Sequence, residues 1–187
     1  MRIKTKVKYG NFKNVIDALS KEITVKVGLL AEKGGSDTIS ENLDIAGLGA
    51  IQEFGCQIPV TDKMRGFFFH NFGVRLKAST THIVIPSRSF LQMPLERRQD
   101  VMRKVKAHIG DAEDVLYYIE ETGDLESIGI IVGSAAVEQI MEAFETGGWG
   151  QWEPNNGLTT LGKGSAMPLV NTGNLKQHIT YEVTKNG

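Results

Sequence analysis

Segments that alternate apolar and polar residues lie near both ends of the chain, with helical patterns between them. This arrangement limits the fold more than any other feature. Residues 23–30 and 179–185 alternate like strands with one wet face, and residues 2–9 do the same. Between them apolar residues recur at helical spacing, most clearly over 125–146. The sequence therefore predicts an α+β fold. Its small, mostly antiparallel sheet is formed by N- and C-terminal strands and packed by several helices.

Five other segments are predicted to be helical or to form helical turns. They are a helix from Asn11 to Ala18, one over about 43–54 with a left-handed cap at Gly55, helices over 94–108 and 111–122, and a capped turn within 171–178. Residues 83–85 supply a further strand or the stem of an arm. Residues 147–167 are rich in glycine and turn formers, so we expect an extended loop there.

The length suits one domain with arms or a domain plus a small subdomain, and we predict a single α+β domain over 1–187. The chain is 41% hydrophobic and 23% charged, which is enough for a real core. We find no apolar run that approaches the ~20 residues of a membrane span, and no apolar signal-peptide core at the N-terminus. Cys56 is the only cysteine, so no internal disulfide can form. We expect cytoplasmic synthesis and no membrane partner.

The charge is unevenly distributed, although the net charge is only −1. Residues 1–106 carry 18 Lys and Arg against 10 Asp and Glu, whereas residues 107–162 carry 11 Asp and Glu and no Lys or Arg. Either these are solvated faces that compensate each other within one chain, or they are complementary faces presented to neighbouring copies. The sequence leaves both interpretations open.

The sequence offers no pattern typical of an enzyme. LGKGS at 161–165 lacks the distal glycine and the Ser or Thr of a phosphate loop. The four histidines have no metal-ligand spacing, and a lone Cys56 is more often a small buried side chain than a nucleophile. The acidic run at 111–114 is typical of a wet helix face. We therefore predict a protein without catalysis, cofactor or metal.

Half of the eight phenylalanines lie in one short stretch, MRGFFFHNFGVRLK at 64–77. Four aromatic rings are more than one side of a small domain readily buries, and exposed rings form adhesive patches. The alternatives are that they cover helices of their own chain or that they anchor a neighbouring copy. The candidate contact residues are Phe67, Phe68, Phe69 and Phe72 with Arg65 and Arg75, followed by Trp149 and Trp152 of the glycine-rich loop.

Four blocks in order resemble the phage virion-morphogenesis family, the neck or tail-completion proteins with Mu-like and HK-type tail-component relatives. The blocks are VKVGLL at 25–30, AIQEFG at 50–55, IPSRSFLQMPL at 85–95 and PLVNTGNLKQHITYEV at 168–183. The family's Arg-Pro-Phe is Arg-Ser-Phe here, and its Asp-Thr-Gly is Asn-Thr-Gly, which also lacks the carboxylate of an aspartic protease. Lys163 matches a lysine upstream of the last block.

The resemblance implies a structural virion protein at the neck, in head–tail joining or tail completion. It implies a homo-oligomeric ring of six or twelve copies around the DNA channel, in the virion of a tailed phage or prophage. The implied partners are head-completion or connector proteins and the tail terminator or tail tube, with nonspecific contact with channel DNA as a further expectation. Residues 56–84 then stand between two family blocks as an inserted, protruding arm or hairpin.

The family blocks also imply fold-maintaining roles for single residues. Glu53, Phe54 and Gly55 would end a helix with an aromatic anchor and a cap. Pro86 would hold an extended chain, Arg88 would pair with a carboxylate such as Glu53, and Phe90 would fill the core. In the last block, Thr172 and Gly173 would form a turn. Direct contacts between subunits are the alternative role for all of these residues.

The alternative function is nucleic-acid binding through the basic N-terminal strand and the helix at 94–108. This helix carries five basic side chains that could contact phosphates: Arg97, Arg98, Arg103, Lys104 and Lys106. However, the isoelectric point is about 6.4, and no recognisable nucleic-acid-binding motif is present.

Overall fold

A computed structural model describes residues 12–155 and 174–186, which form eight helices and six strands. The strands pair into three two-stranded antiparallel sheets. This is the predicted α+β fold, and one of its sheets joins a strand from the N-terminal region to the last strand of the chain. The predicted strand at 2–9 lies outside the described residues.

The helices and strands follow one another along most of the described chain. The helices are α1 (Phe12–Leu19), α2 (Ile45–Phe54), α3 (Asp62–Phe72), α4 (Gln92–Glu96), α5 (Arg98–Ile109), α6 (Ala112–Thr122), α7 (Glu126–Thr146) and α8 (Asn174–Gln177), with a short 3-10 turn at Ala31–Lys33. The strands are β1 (Glu22–Leu29), β2 (Thr38–Ser40), β3 (Leu43–Asp44), β4 (Cys56–Pro59), β5 (His82–Ile85) and β6 (Ile179–Asn186). The one helix predicted over 94–108 is divided at Arg97 into α4 and α5.

The chain was predicted as one domain, and its internal contacts group it into two compact units. Among the described residues, unit 1 comprises 12–27, 98–136 and 181–186, and unit 2 comprises 28–97, 137–155 and 174–180. In unit 1, α1 packs against α6, where the Asn14 side-chain amide donates to the Glu120 carbonyl at 3.0 Å. Its buried apolar residues come from four helices: Ala18, Val105, Ile119, Ala135 and Ala136.

Two glycines of α7 allow β6 to lie close to this helix within unit 1. A Cβ on Gly129 would come within 2.7 Å of the Val183 side chain, and one on Gly133 would overlap the Tyr181 ring. The two glycines are four residues apart and therefore lie on the same side of the helix. A larger residue at Gly133 would displace the Tyr181 ring from its place against α7.

The core of unit 2 is built around Phe90, which is fully buried. Its ring lies 5.5 Å from the Phe144 ring, and Phe144 lies 5.7 Å from Trp152, both in edge-on geometry. The surrounding buried apolar residues come from α2, α7, α8 and β6: Ile45, Ile140, Ala143, Leu175 and Ile179. This core therefore joins segments that are far apart in the sequence.

One described helix, α7, is long and apolar enough to cross a membrane by length and composition, contrary to the expectation that no segment approaches a span. A core helix passes the same test. Within the protein, α7 buries Ala135, Gln139, Ile140 and Phe144. Of its most apolar stretch, 44% is buried within the protein, and Ile130 is 43% exposed.

Candidate subunit-contact surface

Residues 56–85 form a hairpin of two strands with a helix between them. β4 pairs antiparallel with β5 from Cys56 opposite Ile85 to Pro59 opposite His82. The pairing continues past the strand ends, because the Val60 amide donates to the Thr81 carbonyl at 2.9 Å. The chain therefore leaves unit 2's core and returns to it at neighbouring points, with α3 at the far end of the paired strands.

Helix α3 has a cap at each end, although the sequence pattern did not predict it. The Thr61 hydroxyl accepts from the Met64 amide at 3.3 Å, which is a standard N-terminal cap. Gly73 has a φ of 66°, and its amide donates to the Phe69 carbonyl at 3.0 Å. The left-handed conformation of Gly73 ends the helix there.

The phenylalanines of α3 are largely open to solvent. Phe67, Phe69 and Phe72 are 53%, 42% and 37% exposed, and Phe68 is half-buried. The rings of Phe67, Phe68 and Phe72 pack on one another, with centroids 5.8–6.1 Å apart. We call these four side chains the phenylalanine surface. Three of the four rings pack on one another, and three of the four side chains are exposed.

The two arginines of this segment support the phenylalanine surface in different ways. The Arg65 guanidinium donates to the carbonyls of Leu76, Lys77 and Thr80 at 2.8–3.3 Å. It thereby ties α3 to the loop that leads into β5. Arg75 lies over the Phe69 ring, 4.9 Å from its centroid. Arg65 therefore stabilises the hairpin, whereas Arg75 lies at the edge of the phenylalanine surface.

The two tryptophans differ in exposure, and Trp152 is not the exposed contact expected of it. Trp152 is only 8% exposed, packs on Phe144 and donates its indole N–H to the Ser89 carbonyl at 3.3 Å. Trp149 is half-buried, with the Arg97 guanidinium 4.1 Å from its ring. The predicted contact at Trp152 is wrong because the aromatic core of unit 2 encloses that side chain. The rest of the predicted loop, 156–167, lies outside the described residues.

Glu53 organises the turn that precedes α4. Its buried carboxylate accepts four hydrogen bonds of 2.6–3.0 Å, one from the Ser89 hydroxyl and the others from the amides of Phe90, Leu91 and Gln92. The sequence predicts a fold-maintaining Glu53, but with Arg88 as its partner. No sequence pattern reveals that a carboxylate will accept from three successive amides lying 37–39 residues further along.

Arg88 is also buried, and it holds a different segment from the one expected. Its guanidinium donates to the carbonyl of Glu153 at 2.9 Å and, at 3.4 Å, to the carbonyl of Pro154 and the side chain of Asn155. Burial lowers the pKa of this guanidinium, and the neighbouring Glu153 carboxylate opposes that shift. The expected pairing of Arg88 with Glu53 is therefore replaced by bonds to residues 153–155.

The other family-block residues divide into buried and exposed positions. Gly55 has a φ of 72°, and a Cβ there would lie 2.8 Å from the Ile85 carbonyl oxygen, so the return of the hairpin requires glycine. Pro86 directly follows β5. Phe54 is 74% exposed and does not anchor the end of α2, since the buried line of that helix is Ile45, Gly49 and Glu53. Thr172 and Gly173 lie outside the described residues.

The basic side chains proposed to contact nucleic acid are only partly available. Arg97 stacks on Trp149, and Arg103 pairs with Asp100 at 3.0 Å. Arg98 and Lys106 are exposed. Among the described residues there is no group of three histidine, cysteine or acidic side chains placed to hold a metal ion.

Comparisons of the chain with protein-family models, with curated proteins and with solved structures found no match.

Proposed function

We propose that this chain is a non-enzymatic structural protein of a tailed-phage particle or prophage, acting at the neck in head–tail joining or tail completion. Copies of it would assemble as a ring around the DNA channel. The observation that carries the proposal is the phenylalanine surface, and the order of the four sequence blocks supports its phage context. The partners would be further copies of the chain, head-completion or connector proteins, and the tail terminator or tail tube.

The phenylalanine surface supports a subunit contact because it is both apolar and held in place. Burying apolar surface contributes roughly 25 cal/mol for each Å² removed from water, and clustered aromatic rings expose a large amount of it. The caps of α3 and the three bonds of Arg65 already hold the helix that carries the rings before a partner arrives. A pre-formed surface loses less conformational entropy on binding than a flexible one.

The buried charged residues support a structural role over catalysis. Glu53 uses both carboxylate oxygens on backbone amides and one hydroxyl, and Arg88 binds carbonyl oxygens and one side-chain amide. Both charges are therefore engaged in holding loops of their own chain. Two buried charges employed in this way favour a rigid scaffold on which a contact surface is displayed.

The experiment that tests the proposal measures mass in solution over a concentration series for the parent chain and for Phe67→Asp. We expect the parent to form oligomers as concentration rises. The charged variant should need about tenfold or more higher concentration for the same assembly, because it places a carboxylate inside an apolar contact. Electron microscopy of the parent oligomer would then show whether it is a closed ring and of what order.

Phe54→Asp is the matched control, since Phe54 is even more exposed but lies on α2. This variant should assemble like the parent. Circular dichroism of both variants must match that of the parent, so that lost assembly is not lost folding. A parent that remains monomeric at every concentration, or a Phe67→Asp chain that assembles normally, would contradict the proposal.

A further inference from the structure

Helix α6 presents a line of charge, aromatic ring and charge to solvent. Glu113, Tyr117 and Glu121 are four residues apart, so they lie along one side of the helix, and all three are exposed. Tyr117 is 65% exposed. The inner side of the same helix carries Ile119, which is buried in unit 1. We call Glu113, Tyr117 and Glu121 the acidic line.

Helix α5 presents a line with the same spacing and the opposite charge. Arg98, Met102 and Lys106 are again four residues apart and exposed, and Met102 is 51% exposed. Val105, three residues after Met102, is buried and lies beside this line on the same side of the helix. We call Arg98, Met102 and Lys106 the basic line.

The charges of both lines are available to a partner. Within the described part of the chain, none of the four charged side chains makes an ion pair or a hydrogen bond. By contrast, Arg103 of the same α5 helix is paired with Asp100 at 3.0 Å. An exposed apolar side chain between two unpaired charges is the pattern of a small contact with a polar rim.

We infer that the acidic line of one copy docks on the basic line of a second copy of this chain. Successive members of each line are four residues apart. At a rise of about 1.5 Å for each residue, they are about 6 Å apart along the helix axis. Tyr117 would then meet Met102, a favourable pairing of ring and thioether. The flanking glutamates would meet Arg98 and Lys106.

This contact joins two different surfaces and is therefore heterologous, the type that builds rings or filaments from identical copies. It deepens the proposed function and rests on it. A nucleic-acid partner would account for the basic line alone and would be repelled by the acidic one. A second copy accounts for both lines with a single contact.

The test is a charge exchange between two variants. One chain carries Glu113→Arg with Glu121→Arg, and the other carries Arg98→Glu with Lys106→Glu. Each variant alone has like charges on both lines, so each should need about tenfold or more higher concentration to self-associate than the parent. An equimolar mixture should recover association, because each variant restores the complement that the other lacks. A single chain with all four substitutions should also recover it.

Glu32→Arg with Glu41→Arg is the control, since it makes the same charge change at exposed positions outside both lines. It should associate like the parent. The recovery by the mixture and by the fourfold variant separates this contact from a folding defect, because those samples carry the same substitutions.

The failures of the two proposals are distinguishable. If the parent oligomerises and the two charge-reversed variants do so equally well, this contact is wrong and the proposed function stands. If the variants lose association and the mixture does not recover it, the pairing of the two lines is wrong. A parent that is monomeric at every concentration overturns both. Retention on DNA that depends on Arg98 and Lys106, with association unchanged, would assign the basic line to nucleic acid instead.

Discussion

Unit 2 contains two aromatic clusters whose rings have similar spacing and opposite surroundings. In the core, Phe90, Phe144 and Trp152 have centroids 5.5–5.7 Å apart and are buried. On α3, the rings of Phe67, Phe68 and Phe72 are 5.8–6.1 Å apart, and Phe67 and Phe72 are exposed. Contact between rings is therefore no measure of burial.

The difference follows from where the rings come from in the chain. The core cluster draws its members from the turn before α4, from α7 and from the turns after α7, so other segments enclose it on all sides. The cluster on α3 comes from one helix, and a single helix cannot surround its own side chains. Rings that come from one helix become fully buried only where another segment of the chain or a second molecule covers them.

The largest expected effect comes from truncating one ring in each cluster. Phe144→Ala should lower the free energy of unfolding by about 3–5 kcal/mol, because it leaves a cavity in the core. Phe67→Ala should change it by less than about 0.5 kcal/mol, because the ring is half in water already. Urea denaturation at a concentration where the chain is monomeric measures both values. Equal losses would mean that the α3 cluster is part of the core.

The second-largest expected effect on stability comes from comparing a buried carboxylate with an exposed one. Glu53→Gln should lower the free energy of unfolding by about 2–4 kcal/mol, because a neutral amide accepts weaker hydrogen bonds and presents an N–H group to backbone donors. Glu41→Gln, at an exposed position of the same unit, should change it by less than about 0.5 kcal/mol. Thermal and urea unfolding provide the comparison. If Glu53→Gln left the free energy of unfolding unchanged, the turn before α4 would hold without this carboxylate.

Substituting alanine for two helical glycines should change the stability of the protein in opposite directions. Gly133→Ala overlaps the Tyr181 ring and should cost about 1–3 kcal/mol of stability. Gly66→Ala lies within α3, where a Cβ meets nothing within 4 Å, and should raise the stability of that helix by about 0.5–1 kcal/mol. Helix content and melting temperature report both. A destabilising alanine at Gly66 would place a neighbour over α3.

The smallest expected effect on stability concerns Arg65, which ties α3 to the loop before β5. Arg65→Ala removes three hydrogen bonds to the loop before β5 and should cost about 1 kcal/mol, mostly through local opening of that loop. Arg75→Ala removes only a contact with the Phe69 ring and should cost less. Hydrogen exchange over residues 74–81 separates the two variants. Equal protection in both would mean that the hairpin is held without Arg65.

Periodicity predicted the segments in which neighbouring turns share one buried side. The helices over 111–122 and 125–146 and the strand at 179–185 lie within one residue of α6, α7 and β6 at nearly every end. Helix α3 was not predicted because its phenylalanines occupy several sides of the helix and Gly66 lies among them. The sequence therefore shows no single apolar stripe there. Capping by Thr61 and Gly73 was the remaining sequence signal for this helix.

The candidate surface was predictable in composition and unpredictable in detail. Four clustered phenylalanines drew attention to 64–77 from the sequence alone. Phe54 is exposed and Trp152 is buried. This difference depends on which side of a helix or turn meets the core, which is decided by residues distant in the chain. The same is true of Glu53 and Arg88, whose partners are turns that the sequence pattern does not mark.

The pairing of Cys56 with Ile85 has a consequence for how such a chain can change over time. The segment leaves and returns at paired strand positions, and Glu53 before it bonds the turn after it. The residues between the two strands could therefore be exchanged as a unit. A shorter loop, or a helix with different side chains, could replace α3 while the scaffold beneath it is retained. Partner choice could then diversify without a new fold.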